Sequence, residues 1–116
     1  MKSKKSRIVL SILILILISL LIFILNFNRI RFEYYAWHLS SESISEREIH
    51  AEKITKMGGT AVPLLIEKLD HRYIFETQYI INSLEKNIGT DKDYPKSQVD
   101  QIVYWKKWWS DNKQKF

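Results

Sequence analysis

The chain carries three histidines, His38, His50 and His71. None has a second histidine three or four residues away and no H-E-x-x-H occurs, so the helix-borne zinc site of a metalloprotease is absent. His50 sits among Ile49, Ile54 and Met57 and reads as a half-buried structural histidine, with Glu46 one helical turn before it as a common surface pair. Glu42, Glu46, Glu48 and Glu52 read as the solvated start of a helix, favoured by its dipole. Asp91 and Asp93 come nearest to a calcium loop, but they lack the D-x-[DN]-x-[DN]-G pattern and its distal Glu. There is no cysteine, which excludes disulfides, thiolate metal sites, a catalytic thiol and a lipidated cysteine. No G-x-S-x-G elbow and no glycine-rich phosphate loop occurs. Trp105-Lys106-Lys107-Trp108-Trp109 has the composition of a base-stacking platform, but the charge balance below argues against nucleic acid. These residues assign no catalytic, cofactor-binding or metal-ligating position, and no cofactor is expected.

The elements that would position any site start with a membrane segment. Ile8 to Leu25 holds only Ile, Leu, Val and Phe apart from Ser11 and Ser19. As a helix it spans roughly 27 Å, the thickness of a bilayer's hydrocarbon layer. A cleavable signal has a shorter apolar core and a small-residue site after it, whereas Asn26-Phe27-Asn28-Arg29-Ile30-Arg31 offers none. The expected organisation is a cytoplasmic basic stretch at 1–7, a transmembrane signal anchor at 8–27, a juxtamembrane aromatic segment at 28–44 and a helical domain at 45–116. Lys2, Lys4, Lys5 and Arg7 precede the span, and Arg29 and Arg31 follow it. That bias places the N-terminus in the cytoplasm and the domain outside. The net charge of +5 comes mainly from this flank. A nucleic-acid binder carries its basic field on the domain itself, and here the remainder is close to neutral. Arg29, Arg31, Phe32, Tyr34, Tyr35 and Trp37 read as an interfacial belt in the headgroup layer; a continuing helix that docks its aromatic side on the domain is the other possibility.

The domain reads as all-α. Ser45 with Glu48 forms a capping-box pattern opening a helix over Glu46 to Met57, with Ile49, Ile54 and Met57 on one side. Gly58-Gly59 ends it in a left-handed turn. Thr60 is the next N-cap candidate, followed by a helix over Ala61 to Leu69 with Pro63 early in it and Val62, Leu65, Ile66 and Leu69 inward. A third helix, Arg72 to Ile88, shows an apolar stripe of Tyr73, Ile74, Thr77, Ile80, Ile81, Leu84 and Ile88, and Gly89 closes it. After a loop containing Pro95, Ser97 and Asp100 open a fourth helix to about Lys113. On its wheel Val99, Ile102, Trp105 and Trp109 share an arc, with Tyr104 and Trp108 opposite. The expected core is Leu65, Ile66, Leu69, Ile80, Ile81, Leu84, Trp105 and Trp109; Tyr104 and an exposed Trp108 are the candidate partner contact.

Gly59, Ala61-Val62-Pro63-Leu64-Leu65-Ile66-Glu67-Lys68-Leu69-Asp70, a short turn, and a second helix ending Leu84, Ile88, Gly89 resemble a HEAT repeat. The similarity is to the short bacterial type related to phycobilisome-lyase repeats. The Asp91–Pro95 loop and a closing W-x-x-W-W helix (Trp105, Trp108, Trp109) extend it over about residues 46–112. The chain departs from the repeat at Asp70-His71-Arg72 and in its bulky Tyr73, Phe75 and Tyr79. Solenoids need about three repeats to bury a continuous core, so two hairpins need extra cover. The repeat is a scaffold shared by many functions, and bilin attachment is not carried over. The resemblance implies an α-solenoid fragment that binds protein along helix faces.

The expected function is a membrane-tethered interaction module without catalytic activity. Its partners would be the lipid bilayer and a protein. An accessory subunit of a membrane complex is the alternative, and a small enzyme or ligand carrier a more distant one.

Overall fold

The computed structural model describes residues 3–116; Met1 and Lys2, part of the expected cytoplasmic stretch, lie outside them. The described residues form helices and turns with no strand. The helices are α1 (Lys4–Trp37), α2 (Ile44–Lys56), α3 (Val62–Glu67), α4 (Ile74–Ile88) and α5 (Gln98–Asn112), with 3₁₀ turns at His38–Ser40, Gly58–Ala61 and Lys113–Lys115.

α1 runs unbroken for 34 residues. No glycine or proline interrupts it, and Ser11, Ser19 and Asn26 satisfy their side chains on the carbonyls of Arg7, Leu15 and Ile22. Every side chain from Ile8 to Leu25 is exposed, and the helix is long and apolar enough to cross a membrane.

No joint separates the apolar part of α1 from the part that packs on the other helices. Phe32 is 0% exposed and Leu39 2%, and both belong to the one hydrophobic core with Ile54, Val62, Leu65, Ile81, Leu84 and Trp105. This corrects the belt: Phe32 cannot face headgroups, because it is enclosed in the core where α2 and the Gly58–Ala61 turn pack on α1, and Tyr35 is half-buried against the same core. α1 itself thus supplies part of the cover over the helices that follow it.

α2 begins two residues earlier than expected. Ser43, not Ser45, is its N-cap, accepting from the Glu46 N–H at 3.3 Å. Ser41 donates its hydroxyl to Glu46 Oε2 at 2.6 Å and accepts from the Ser43 N–H. Both Ser43-x-x-Glu46 and Ser45-x-x-Glu48 fit a capping box; the tight 3₁₀ turn after α1 brings the first into place. Ile54 is buried, while Ile49, expected inward, is 49% exposed.

Gly58 takes φ +64 and breaks the helix as the turn demands. Thr60 does not cap the following helix; its hydroxyl donates to the Met57 carbonyl and so closes the end of α2 instead. α3 is then only six residues long. Its Leu65, Ile66 and the following Leu69 are buried, as are Ile80, Ile81 and Leu84 of α4. Tyr73 and Ile74, at the start of α4, stand 58% and 52% exposed, while Gln98 of α5 donates to the Ile74 carbonyl. Thr77 is buried and donates to the Asp70 carbonyl at 2.6 Å, closing the α3–α4 turn.

Candidate functional site

Three features of the surface bear on function: the seam between α1 and the domain, the aromatic end formed by α5, and the grooves between helices.

At the seam, α2 returns antiparallel to α1. His50 stacks on His38 with centroids 4.1 Å apart and planes 11° from parallel, and Lys53 lies over the Tyr35 ring. Three residues forward on α2 match three back on α1. Each imidazole uses Nδ1 on the carbonyl one turn before it, His38 on Tyr34 and His50 on Glu46. A carbonyl only accepts, so Nδ1 is the donor in both bonds. His50, expected to be half-buried, is buried at 8% exposure. Its pairing with His38 was not visible in spacing; the signal that existed was Tyr34 and His38 one turn apart. Lower on the seam, Arg29 grips Glu67 through both guanidinium nitrogens at 3.1 and 3.3 Å, and Lys68 meets Glu33 at 2.9 Å. The Glu67 hydrogen bond and charge hold the Arg29 pKa above its ordinary value. Arg31 lies over the Phe27 ring. Of the other expected belt residues, Tyr34 and Trp37 are exposed.

At the far end of the chain the aromatic residues form one cluster. Trp105 is 0% exposed and donates its indole N–H to the Tyr94 hydroxyl at 2.8 Å. Tyr104 packs edge-on against both Tyr94 and Trp105 at 5.0 Å. Trp108 is edge-on to Trp105 and to Phe116, and Trp109 meets Phe116 at 5.6 Å. The expected helical phase is rotated by roughly 50°. Val99 and Val103 point outward at 49% and 63% exposure, while Gln101 is buried and donates its amide to the Pro95 carbonyl. The Tyr94–Pro95 loop folds over this side and hides it. Trp109 is consequently half-buried rather than core, and Trp108 is half-buried rather than exposed. Tyr104, also half-buried, offers little as an outward contact. Burial pushes the Tyr94 and Tyr104 hydroxyls up from their ordinary pKa.

The grooves are open. One, of about 340 Å³, lies between α2 and α4 among Glu48, Glu52, Thr55, Asn82, Ser83 and Lys86. Thr55 and Ser83 hydroxyls pair with each other there at 2.8 Å. Another, of about 360 Å³, is framed by Trp37 and Tyr73, with Ala36, Leu39 and Ile80 in its floor and Glu33, Lys68 and Glu76 at its edge. Phe75, 76% exposed, lines a shallower groove with Tyr79 on α4. Among the described residues no three His, Asp or Glu side chains converge as a metal site would require.

Compared with protein-family models, with curated proteins and with solved structures, the chain matches none.

Proposed function

We propose that this protein is a membrane-anchored helical module that binds another protein, with no chemistry of its own, and that its helical hairpins are of the HEAT-like type. The observation that carries the reading is a set of exposed aromatic side chains: Trp37 at 74% and Tyr73 at 58% frame the α1–α4 groove, and Phe75 at 76% stands on the neighbouring groove of α4. Large aromatic residues left in water beside a groove with an apolar floor are what partner anchors require. Tyr104 and Trp108 cede that role because their rings are spent on their own core. Short turns joining α2, α3 and α4 support the hairpin reading, although α3 is shorter than a typical repeat helix. We place the N-terminus in the cytoplasm and the domain outside, uncleaved, on the balance of Lys4, Lys5 and Arg7 against Arg29 and Arg31, of which Arg29 is engaged by Glu67. The test is purification of the full chain from membranes in mild detergent beside Trp37→Ser/Phe75→Ser. A protein that accompanies the wild type in fixed proportion and is lost from the variant supports the module; a chain that purifies alone, or equal recovery with both, overturns it.

The burial of Phe32 favours a second reading, an obligate subunit of a membrane complex, since the domain is built onto its anchor rather than hung from it. Cross-linking through α1 separates the two: bonds to one partner from within the span favour the subunit.

A further inference from the structure

The base of the domain is fixed by the register of the seam. His50 lies against His38 and Lys53 against Tyr35. Continued at the same step, Lys56 falls level with Phe32, and Gly58 and Gly59 with Ile30 and Arg29. The Gly58–Ala61 turn does pack on α1, and Arg29 itself holds Glu67. Arg29 is two residues past Phe27, about 3 Å along the axis. This end of the domain is therefore level with the edge of the span.

The last residues of the chain come to the same end. Phe116 lies against Gly59, its ring carbon 3.7 Å from where a Cβ would stand. The 3₁₀ turn Lys113–Lys115 precedes it, with both lysines exposed and Phe116 half in solvent. The acidic groups at the seam are paired, Glu67 with Arg29 and Glu33 with Lys68. Glu52 is paired with Lys56 on α2, while among the described residues Arg31, Lys113 and Lys115 join no ion pair, Lys115 donating only to the Asn112 side-chain oxygen.

We propose that the Lys113–Lys115 turn and Phe116 form a second membrane contact, a foot that rests on anionic lipid headgroups of the leaflet from which α1 emerges. The inference rests on the anchor reading of α1. Basic side chains beside an exposed aromatic ring, at the level of the headgroups, are the combination that binds an anionic interface. A foot at this place restores the interfacial aromatic that Phe32 cannot supply.

The chain has no cysteine, so single nitroxide labels can be placed in the full protein at Lys115→Cys, Ser45→Cys and Ser19→Cys. Each is reconstituted in phosphatidylcholine vesicles, with and without roughly one-third phosphatidylglycerol, and collisions with oxygen and with a water-soluble nickel chelate are compared. At position 115 oxygen should prevail in the anionic vesicles and nickel in the neutral ones. At 45, at the distant start of α2, nickel should prevail in both. Lys113→Glu in the label-115 protein should return that site to water. Nickel access at 115 equal to that at 45 in both vesicles overturns the foot. Shielding from both reagents means protein covers the turn and also overturns it. Equal burial in neutral and anionic vesicles overturns headgroup charge as the recognised chemistry. The label at 19 reads the anchor separately: if nickel reaches it, the span is wrong; if it is lipid-buried while 115 is not, only the foot falls.

Discussion

The indole N–H of Trp105 donates to the hydroxyl of Tyr94 across 2.8 Å, linking the middle of α5 to the loop before it. The bond satisfies the one polar atom of a fully buried tryptophan. It also folds the loop over the side of α5 that carries Gln101 and Tyr104.

Alkaline pH should loosen this end first. Burial raises the Tyr94 pKa, the Trp105 hydrogen bond partly opposing it, and Glu85 adds to the rise. A phenol whose pKa is higher folded than unfolded gives its full stabilisation below the unfolded value of about 10, and loses it as pH climbs from there toward the folded value. The thermal midpoint should fall as pH is raised past about 10, and the fall should be shallower in Tyr94→Phe. Tyr104, raised by burial and then by Asp91, acts in the same direction in both proteins.

Truncating the tryptophans should rank them by burial. Trp105→Ala should cost about 3–5 kcal/mol, enough to unfold a domain this small. Trp105→Phe keeps most of the volume and strands the Tyr94 hydroxyl, for about 1 kcal/mol plus a residual void. Trp108→Ala removes the cover over Trp105 and Phe116 and should fall between these two. Denaturant titration in detergent measures all three; a Trp108→Ala protein as stable as wild type contradicts the packing.

The glycines should separate just as sharply. Gly89 sits at φ 88, ψ 170, a region open to almost no other residue, so Gly89→Ala should cost about 1–3 kcal/mol. Gly58 at φ +64 has nothing within 4 Å of a new Cβ, and alanine should cost only about 1 kcal/mol there through the left-handed backbone. At Gly59 an added Cβ makes an ordinary contact with Phe116, and Gly59→Ala should be close to neutral. Thermal midpoints in the order Gly59→Ala, Gly58→Ala, Gly89→Ala, highest first, are expected.

Phe32→Ala should cost about 3–5 kcal/mol although it lies on the anchor helix. Glu67→Gln should barely move the midpoint, because its partner Arg29 is solvent-exposed and such pairs contribute little. A fragment starting at Asn28 should fold with ordered tryptophan signals in near-ultraviolet circular dichroism. One starting at Ser40 lacks Phe32, Tyr35, Ala36 and Leu39 and should be molten.

That last contrast shows where the sequence stopped being legible. The apolar run, the glycine stops and the inward faces of α3 and α4 follow from local spacing, and the structure places Leu65, Ile66, Ile80, Ile81 and Leu84 inside. Phe32 reads as interfacial because Arg29 and Arg31 just before it mark a membrane flank, and only the return of α2 decides which way its ring turns. The face of α5 was misread because hydrophobic spacing counts Val99 and discounts Gln101, whereas burial of Gln101 depends on a carbonyl six residues earlier in a loop. His38 and His50 are twelve positions apart on two helices, and no local pattern joins them. Of the exposed aromatic residues at the groove, Trp37 reads as a belt residue and Tyr73 as the first member of the third helix's apolar stripe. Each is apolar by type, and type alone does not say which side of a packed helix end faces water.

The uninterrupted backbone of α1 has a mechanical consequence. A span tilts by an amount set by the match between its length and the local bilayer, typically around 20°. With no hinge between Phe27 and Trp37, and with Phe32 locked into the core, the domain turns rigidly through the same angle and about the same axis. With α1 as the proposed membrane anchor, a thicker or thinner bilayer is thus translated into a different bearing of the Trp37–Tyr73 groove above it, as the rudder of a boat follows its shaft.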